Sequence, residues 1–379
     1  MVAVLSGWSQ DPVARTEGGL LRPGDAAESL ALLELLDVPG LGSKRAFDRL
    51  TDAGGARAAL ARVSAPQASK SLEGHSRGEV ARRRLEVLDR LGIHLMAPWS
   101  EGYPSHLGDL HDPPVAIFAR GDVSLLTRPA VAIVGSRKAS SYGRRCAEKV
   151  ARACAKRGIV VVSGLAMGID GAAHRATLDA SGNTVAVLGN GVDAVHPKSN
   201  ARLGMEIVRR GLMISEYPPG VGAQPYHFPQ RNRIIAALAR AVIVVEAARR
   251  SGALITVDHA LDLGRDVYGV PGPIDQSTHV GVNAMLRDGA GVLDDPESFA
   301  TSFAEGVGLF FTSSLAPVAG IPLEPKVARV LGAIETGACT AEALRTALKL
   351  ETAETLVMLT ELELGGWVKQ DADLRFRRA

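Results

Sequence analysis

Aromatic side chains are scarce in this chain, making up 4% of its 379 residues, so a broad platform of stacked rings is excluded. Cysteine is scarcer still. Cys146, Cys154 and Cys339 show neither paired spacing nor a neighbouring histidine cluster, which argues against a disulfide framework and against a structural zinc site. Cys146 and Cys154 fall on one face of a predicted helix, as small buried hydrophobes do. Neither sign of charge dominates. Lys plus Arg number 43 against 41 Asp plus Glu, so a uniformly basic coat is excluded and any anion site must be local. No apolar run approaches the ~18 residues of a membrane span, and Met1 to Gly7 lacks the basic start and apolar core of a secretory leader. The expectation is a soluble, cytoplasmic protein with no membrane partner.

What is present is unevenly distributed. Residues 129–300 carry 20 basic and 15 acidic side chains, whereas residues 1–128 carry 15 and 16, and residues 301–379 carry 8 and 10. The positive excess is central. The length allows two or three domains and a sizeable core.

Residues 1–27, rich in Gly, Pro and Ser, read as a flexible tail. Residues 28–95 read as a helical domain. There SLALLELLDVPGLGSKRAFDRL has helical apolar spacing on both sides of Pro39-Gly40-Leu41-Gly42, which resembles a helix-hairpin-helix or sterile-alpha-motif-like module. Such a turn holds a DNA phosphate in true hairpin modules, with Lys44 and Arg45 placed to help; a plain packing module is the alternative. A basic helix, RGEVARRRLEVLDRL, closes this region.

Residues 96–300 read as an α/β domain of extended Rossmann-like, doubly wound form. From Ala130 onward, β-branched runs alternate with helices: VAIVG (131–135), IVVVSG (159–164), TVAVLG (184–189), LMISEY (212–217), AVIVVEA (241–247), DVYGVPG (266–272) and GVL (291–293). Strands apolar on both faces imply a mainly parallel sheet covered on both sides. Residues 301–322 read as a linker and 323–379 as a winged-helix domain, three helical runs followed by the alternating WVKQDADLRFRR. Its third helix carries Glu354, Glu361 and Glu363 and no Lys or Arg, which points to protein contact or packing rather than docking on phosphates.

Ligands of a parallel sheet sit at the carboxyl ends of its strands. Found there are Gly135, Ser136, Arg137 and Lys138, then Ser163 and Gly164, then Ser251 and Gly252, glycine and serine allowing close backbone approach. FPQRNR adds Phe228, Arg231, Asn232 and Arg233, and Lys198 follows Pro197. Unpaired buried arginines are costly, so anionic partners are expected. Alternatively, Arg137 pairs with Glu216 or Glu246 and Arg233 with Asp170. Phe228, Tyr226 and Tyr217 can each serve a single base or pack in the core.

Enzymatic signatures fail in context. GSRKASSYG lacks the GK[ST] ending of a P-loop, and GNGVDA matches a dinucleotide fingerprint but runs into His196-Pro197 instead of a helix. No nucleophile elbow or metalloprotease signature exists, and the histidines are scattered. Neither a catalytic site nor a cofactor or metal is expected.

GSR (135–137), SGLAMGIDGAAH (163–174), GNGVDAVHPKSN (189–200), SEYPPG (215–220), FPQRNRIIAALARAVIVVEAARRSGALITVDHAL (228–261), VPGPID (270–275) and GVNAMLRDGA (281–290) resemble the DNA-processing protein A (DprA/Smf) family. They arrive in the family's order and span the central domain; His196 departs from the Tyr many relatives have before the Pro. The resemblance implies a non-enzymatic single-stranded DNA-binding recombination mediator that protects incoming strands and loads a RecA-type recombinase during natural transformation. It further implies a homodimer, to which Met285, Leu286, Val292 and Leu293 offer apolar surface, and a single-strand-binding protein as a further partner. Two alternatives stand beside it: a Rossmann-type nucleotide phosphoribohydrolase-like enzyme, whose PGG-x-GT-x-x-E motif is absent, and a protein-interaction scaffold.

Overall fold

The computed structural model describes residues 26–309 except 39, 64–75, 99 and 101, together with 330, 332–334, 340–364, 368–370 and 376–378. Residues 1–25 of the expected tail, residues 310–322 of the expected linker and Cys339 lie outside the described residues. The chain divides into two compact units, Met1–Leu309 and Phe310–Ala379.

Four helices open the first unit: α1 (Ala26–Leu36), α2 (Ser43–Ala53), α3 (Ala56–Ala61) and α4 (Arg77–Leu91). Local chemistry sets their ends. Gly40 has φ +73° in the turn between α1 and α2, a conformation that strains other residues. The Glu28 carboxylate accepts the N–H groups of Ala56 (2.7 Å) and Arg57 (3.1 Å), satisfying donors that the start of α3 leaves open. A reciprocal capping box between Ser76 and Glu79 starts α4, and left-handed Gly92 ends it. The leucines of these helices share one hydrophobic cluster with Phe118, Leu188 and Met213 of the following α/β region. The helical module and the sheet thus have a common core.

The rest of the unit alternates strands and helices: β1 (His94–Met96), β2 (Ile117–Gly121), β3 (Ala130–Val134), α5 (Ser141–Lys156), β4 (Val160–Ser163), α6 (Ile169–Asp179), β5 (Thr184–Val187), α7 (Ala201–Arg210), β6 (Leu212–Ser215), α8 (His227–Leu238), β7 (Ala241–Val244), α9 (Gly252–Asp262), β8 (Asp266–Gly269), α10 (Val280–Arg287), β9 (Gly291–Val292) and α11 (Pro296–Gly306). The sheet order is β1-β2-β6-β5-β4-β3-β7-β8-β9. From β6 to β9 neighbours are parallel, while β1 and β2 add antiparallel strands beyond β6. In register, Ala132 of β3 stands opposite Val162 of β4 and Val242 of β7. Helices α8 and α9 cover one face, burying Ile234, Ile235 and Val257 against Ala132, Val134 and Val242. On the other face α5, α6 and α11 bury Val150, Ile169 and Ala300 against Val131 and Ile133. Burial on both sides explains the continuously apolar strands.

All seven expected strands are present, each shorter than its apolar run. Strands β1 and β2 were not anticipated, because their residues lack the β-branched runs of the parallel strands. The domain end expected at residue 300 falls inside α11, which Pro296 and the Asp295 cap initiate and whose Ala300 and Ala304 are buried. Cys146 and Cys154 both lie on α5, and complete burial pushes the Cys154 thiol up to about 12.

In the second unit, α12 (Ala341–Leu348) and α13 (Thr352–Leu364) precede the antiparallel pair β10 (Val368–Gln370) and β11 (Phe376–Arg378). Val330, Ile334, Leu344, Leu359, Leu362, Val368 and Phe376 form their core, the helix-and-hairpin arrangement of a winged helix. Among the described residues no helix is long and apolar enough to cross a membrane.

Candidate nucleic-acid interface

The sheet order reverses direction at β3, with β4 on one side and β7 on the other. At the carboxyl end of such a switch point the flanking loops part and leave a crevice. A cavity of about 410 Å³ lies there. Its wall brings together Gly135, Ser136, Arg137, Lys138, Phe228, Arg231, Asn232, Ser251 and Gly252, from segments up to 117 positions apart. Ser163, Gly164, Lys198 and Arg233 are not part of that wall.

Backbone contacts hold the loop after β3 in place. The Ser136 N–H donates to the Glu246 carbonyl (2.7 Å), and the Ser136 carbonyl accepts from Ile169 (3.2 Å). Gly168, at φ +82°, abuts this backbone so closely that a Cβ would collide with the Ser136 carbonyl. Arg137 and Lys138 are exposed. The Arg137 guanidinium lies over the Phe228 ring, 4.9 Å from its centroid, a cation–π contact that orients the charge without neutralising it. The Glu246 carboxylate accepts instead from the Ser140 N–H (2.9 Å) and hydroxyl (3.3 Å). Across the cavity, the Ser251 side chain caps α9 by accepting from Ala253 (3.3 Å), and Asn232 donates to the Gly252 carbonyl (3.1 Å).

The other two arginines depart from expectation. Arg233 is buried, donating to Glu216 at 2.6 Å with Asp112 at 3.8 Å. Its charge is spent inside the protein, and the partner is Glu216 rather than Asp170. Arg231 is also buried, its guanidinium donating to the carbonyls of Gly164 (2.8 Å) and Val187. Burial lowers its pKa to about 10, against the opposing pull of Asp170. Burial likewise raises the Asp170 pKa, which Arg231 and the N–H groups of Ala166 and Gly164 counter. Arg231 and Asp170 therefore brace the cavity floor from within, where sequence spacing suggested a solvent-facing cation.

Ser163 and Gly164 are likewise internal. The Ser163 hydroxyl donates to the Ile133 carbonyl (2.6 Å), and the Gly164 N–H donates to Asp170 (3.1 Å). Neither offers the ligand-facing donor expected of it. Lys198 is exposed on the turn before α7. Asn200, two positions on, donates from Nδ2 to the carbonyls of Leu165 (3.0 Å) and Ala166 (3.1 Å), tying that turn to the loop after β4. Sequence reasoning missed the organising roles of Asp170 and Asn200. Both lie inside the quoted motifs, but neither carries a local sign of the loop it holds.

Aromatic rings collect at this rim despite their scarcity. The Tyr217 ring stacks on His227 at 3.9 Å, Tyr226 meets His227 edge-on at 4.6 Å, and His196 lies 5.7 Å from Phe228. His227 Nδ1 is 2.9 Å from the Gly189 carbonyl, and burial lowers the pKa of this histidine.

The four residues expected at a dimer contact separate. Val292 is 57% exposed on the short edge strand β9, whereas Leu293 is buried in the core shared by α5 and α11. Met285 and Leu286 pack partly against the core on the opposite face, and Met285 lines a second cavity of about 680 Å³ beside β8 and β9. Leu293 closes the fold and cannot also serve a partner.

Residues 94–304 match the family model for DNA recombination-mediator protein A, and residues 315–373 match the DprA winged helix domain. The chain is 36% identical to Protein Smf of Escherichia coli over 303 residues, covering 77% of this chain and 80% of that protein. It is 44% identical to the DNA processing protein DprA of Streptococcus pneumoniae over 201 residues, covering 53% and 71%. The X-ray structure of the pneumococcal DprA superposes with a TM-score of 0.56 at 34% identity, covering 73% of this chain and 95% of that one. The DNA processing protein A of Helicobacter pylori, whose structure addresses its single-stranded DNA binding mode, superposes with a TM-score of 0.52 at 29% identity, covering 56% and 96%. The match over the sheet and its loops, joined to the matching winged helix, establishes that the chain belongs to the DNA processing protein A (DprA/Smf) family of recombination mediators.

Proposed function

We propose that this protein binds single-stranded DNA at the switch-point cavity and acts as a recombination mediator, protecting incoming strands and loading a RecA-type recombinase in the cytoplasm during natural transformation. One observation carries the reading. Of the four cations expected at the rim, Arg233 is neutralised by Glu216 and Arg231 is turned inward, while Arg137 and Lys138 stand exposed at the cavity, with Lys198 exposed on a turn tied to its border. Exposed cations on a rigid rim recognise a phosphodiester backbone irrespective of sequence. The Helicobacter pylori relative, described as binding single strands, supports the substrate class.

Binding rather than turnover is the work of this site. Its one buried acid, Asp170, already holds two backbone N–H groups and faces Arg231, so it is not free to act as a general base on a ligand. A homodimer through the β8–β9 edge, with Val292 at its surface and Met285 and Leu286 behind it, and contact with a single-strand-binding protein complete the proposal. Fluorescence titration with single- and double-stranded DNA of equal length tests it. The single strand binds more tightly and Arg137→Ala weakens that binding; equal affinity for duplex, or an unaffected Arg137→Ala variant, overturns it.

A further inference from the structure

Eight large apolar side chains are exposed among the described residues, and four of them, Tyr142, Met167, Tyr226 and Ile274, stand on segments that follow the carboxyl ends of strands. Exposed apolar residues scattered singly need no explanation. These border a basic cavity. Ile274 lies beside the carboxylate of Asp275, which repels phosphate, and Tyr142 is committed through its hydroxyl to the Pro271 carbonyl. Met167 and Tyr226 remain, on opposite sides of Arg137 and Phe228.

We propose that Met167 and Tyr226 are base-contacting residues, gripping unstacked bases of the same strand whose phosphates meet Arg137, Lys138 and Lys198. This rests on the function proposed above and adds to it that the bases, and not only the backbone, are held.

Both side chains are presented by pre-ordered elements. Tyr226 is 62% exposed, yet its ring is fixed edge-on against His227, whose own ring is stacked on Tyr217. One face is left for a base at little entropic cost. Met167 is 50% exposed on a loop whose backbone is strained, with Leu165 at φ +56° and Gly168 at φ +82°. Asp170 holds that loop through the N–H groups of Gly164 and Ala166, and Asn200 holds it through the carbonyls of Leu165 and Ala166. Strain maintained by such surrounding bonds is characteristic of ligand-contacting loops. The Met167 thioether is polarisable and favours contact with aromatic rings.

The alternation decides between occupants. Met167 stands between the Lys198 turn and the Arg137 loop, and Tyr226 lies beyond Phe228 on the far side of Arg137. Cation and apolar group follow one another, as phosphate and base do along a single strand, whereas the apolar face of a protein partner does not call for interleaved cations.

The test compares an oligothymidylate with an abasic strand of the same length and charge, titrated by fluorescence anisotropy against the full chain. The wild-type protein is expected to bind the oligothymidylate about tenfold or more tightly than the abasic strand. Tyr226→Ala and Met167→Ala each narrow that gap while leaving abasic affinity and its salt dependence unchanged, and Tyr226→Phe restores it. Equal wild-type affinity for both strands overturns the inference while leaving the proposed function intact. Failure of the wild type to bind either strand removes the function itself. Variants that weaken both strands equally, or that alter sedimentation without altering the gap, reassign the two residues to backbone or protein contact and overturn the inference. The wild-type comparison decides alone should an alanine variant fail to fold.

Discussion

Two arginines a single residue apart illustrate how little a side chain's type says of its work. Arg137 is exposed above Phe228, while Arg233 is buried against Glu216. Arg137→Ala should therefore leave the urea midpoint unchanged, weaken single strands of every sequence alike and reduce the salt slope of log K by about 0.7. Arg233→Ala should do the reverse in kind, destabilising the fold by about 3–5 kcal/mol through the buried carboxylate it strands. Urea titration beside a salt series separates the two. His174 supplies a pH signature. Its buried imidazole, 2.7 Å from the Thr184 hydroxyl, is lowered by burial, and secondarily by Arg231, to about 3. The unfolded chain takes up that proton near pH 6.5 and the native chain does not, so the contribution is fully present above pH 6.5 and is lost as pH falls toward 3. The slope is about 1.4 kcal/mol per pH unit. His174→Gln should flatten the dependence of unfolding free energy on pH between 6 and 4 by about that amount, checked by denaturant titration at each pH.

At the scale of elements, the loop between β4 and α6 governs the site. Gly168 cannot be replaced without moving the Ser136–Arg137 backbone, since its φ is positive and a Cβ has no room. Gly168→Ala should destabilise by about 1–3 kcal/mol and weaken strand binding together, read by thermal unfolding and by anisotropy; full binding by a destabilised variant would separate this loop from the site. The parallel strands were legible because burial on both faces demands unbroken β-branched runs, as in AVIVVEA, where β7 forms. The residues of β1 and β2 were not legible. Their pairing partners are remote in sequence, with Phe118 opposite Ser215, and HLM carries no local pattern that separates strand from coil. Within the site, Arg137, Lys138 and Phe228 could be read from their place after β3 and before α8, whereas the inward turn of Arg231 depends on carbonyls 67 and 44 positions away.

Across the whole molecule, packing sets which parts can be separated. The helices α1–α4 share a core with Phe118 and Met213, and α11 shares one with α5. Residues 26–309 are therefore expected to be the binding unit, so truncation after Leu309 should retain single-strand affinity, whereas a fragment of residues 130–293 should fail to fold because it lacks β2 and α11. Circular dichroism and anisotropy on both fragments check this. Val292→Glu should yield monomer without loss of folding if the exposed edge strand β9 meets its counterpart in a second copy, and sedimentation equilibrium reads the outcome.

Composition and pattern alone determined that the chain builds a mainly parallel α/β sheet, that its positive excess is central, and that basic residues follow β3 and precede the apolar stretch of FPQRNRIIAAL. Those conclusions rest on local physics: periodicity dictated by burial, and the cost of misplaced charge. Tertiary structure alone decided which cations remain available. Glu216, Asp170 and the carbonyls of Gly164 and Val187 meet Arg233 and Arg231 only after the sheet has formed. Whether a charge faces a ligand or a buried partner is a property of distance in space, which spacing along the chain does not encode.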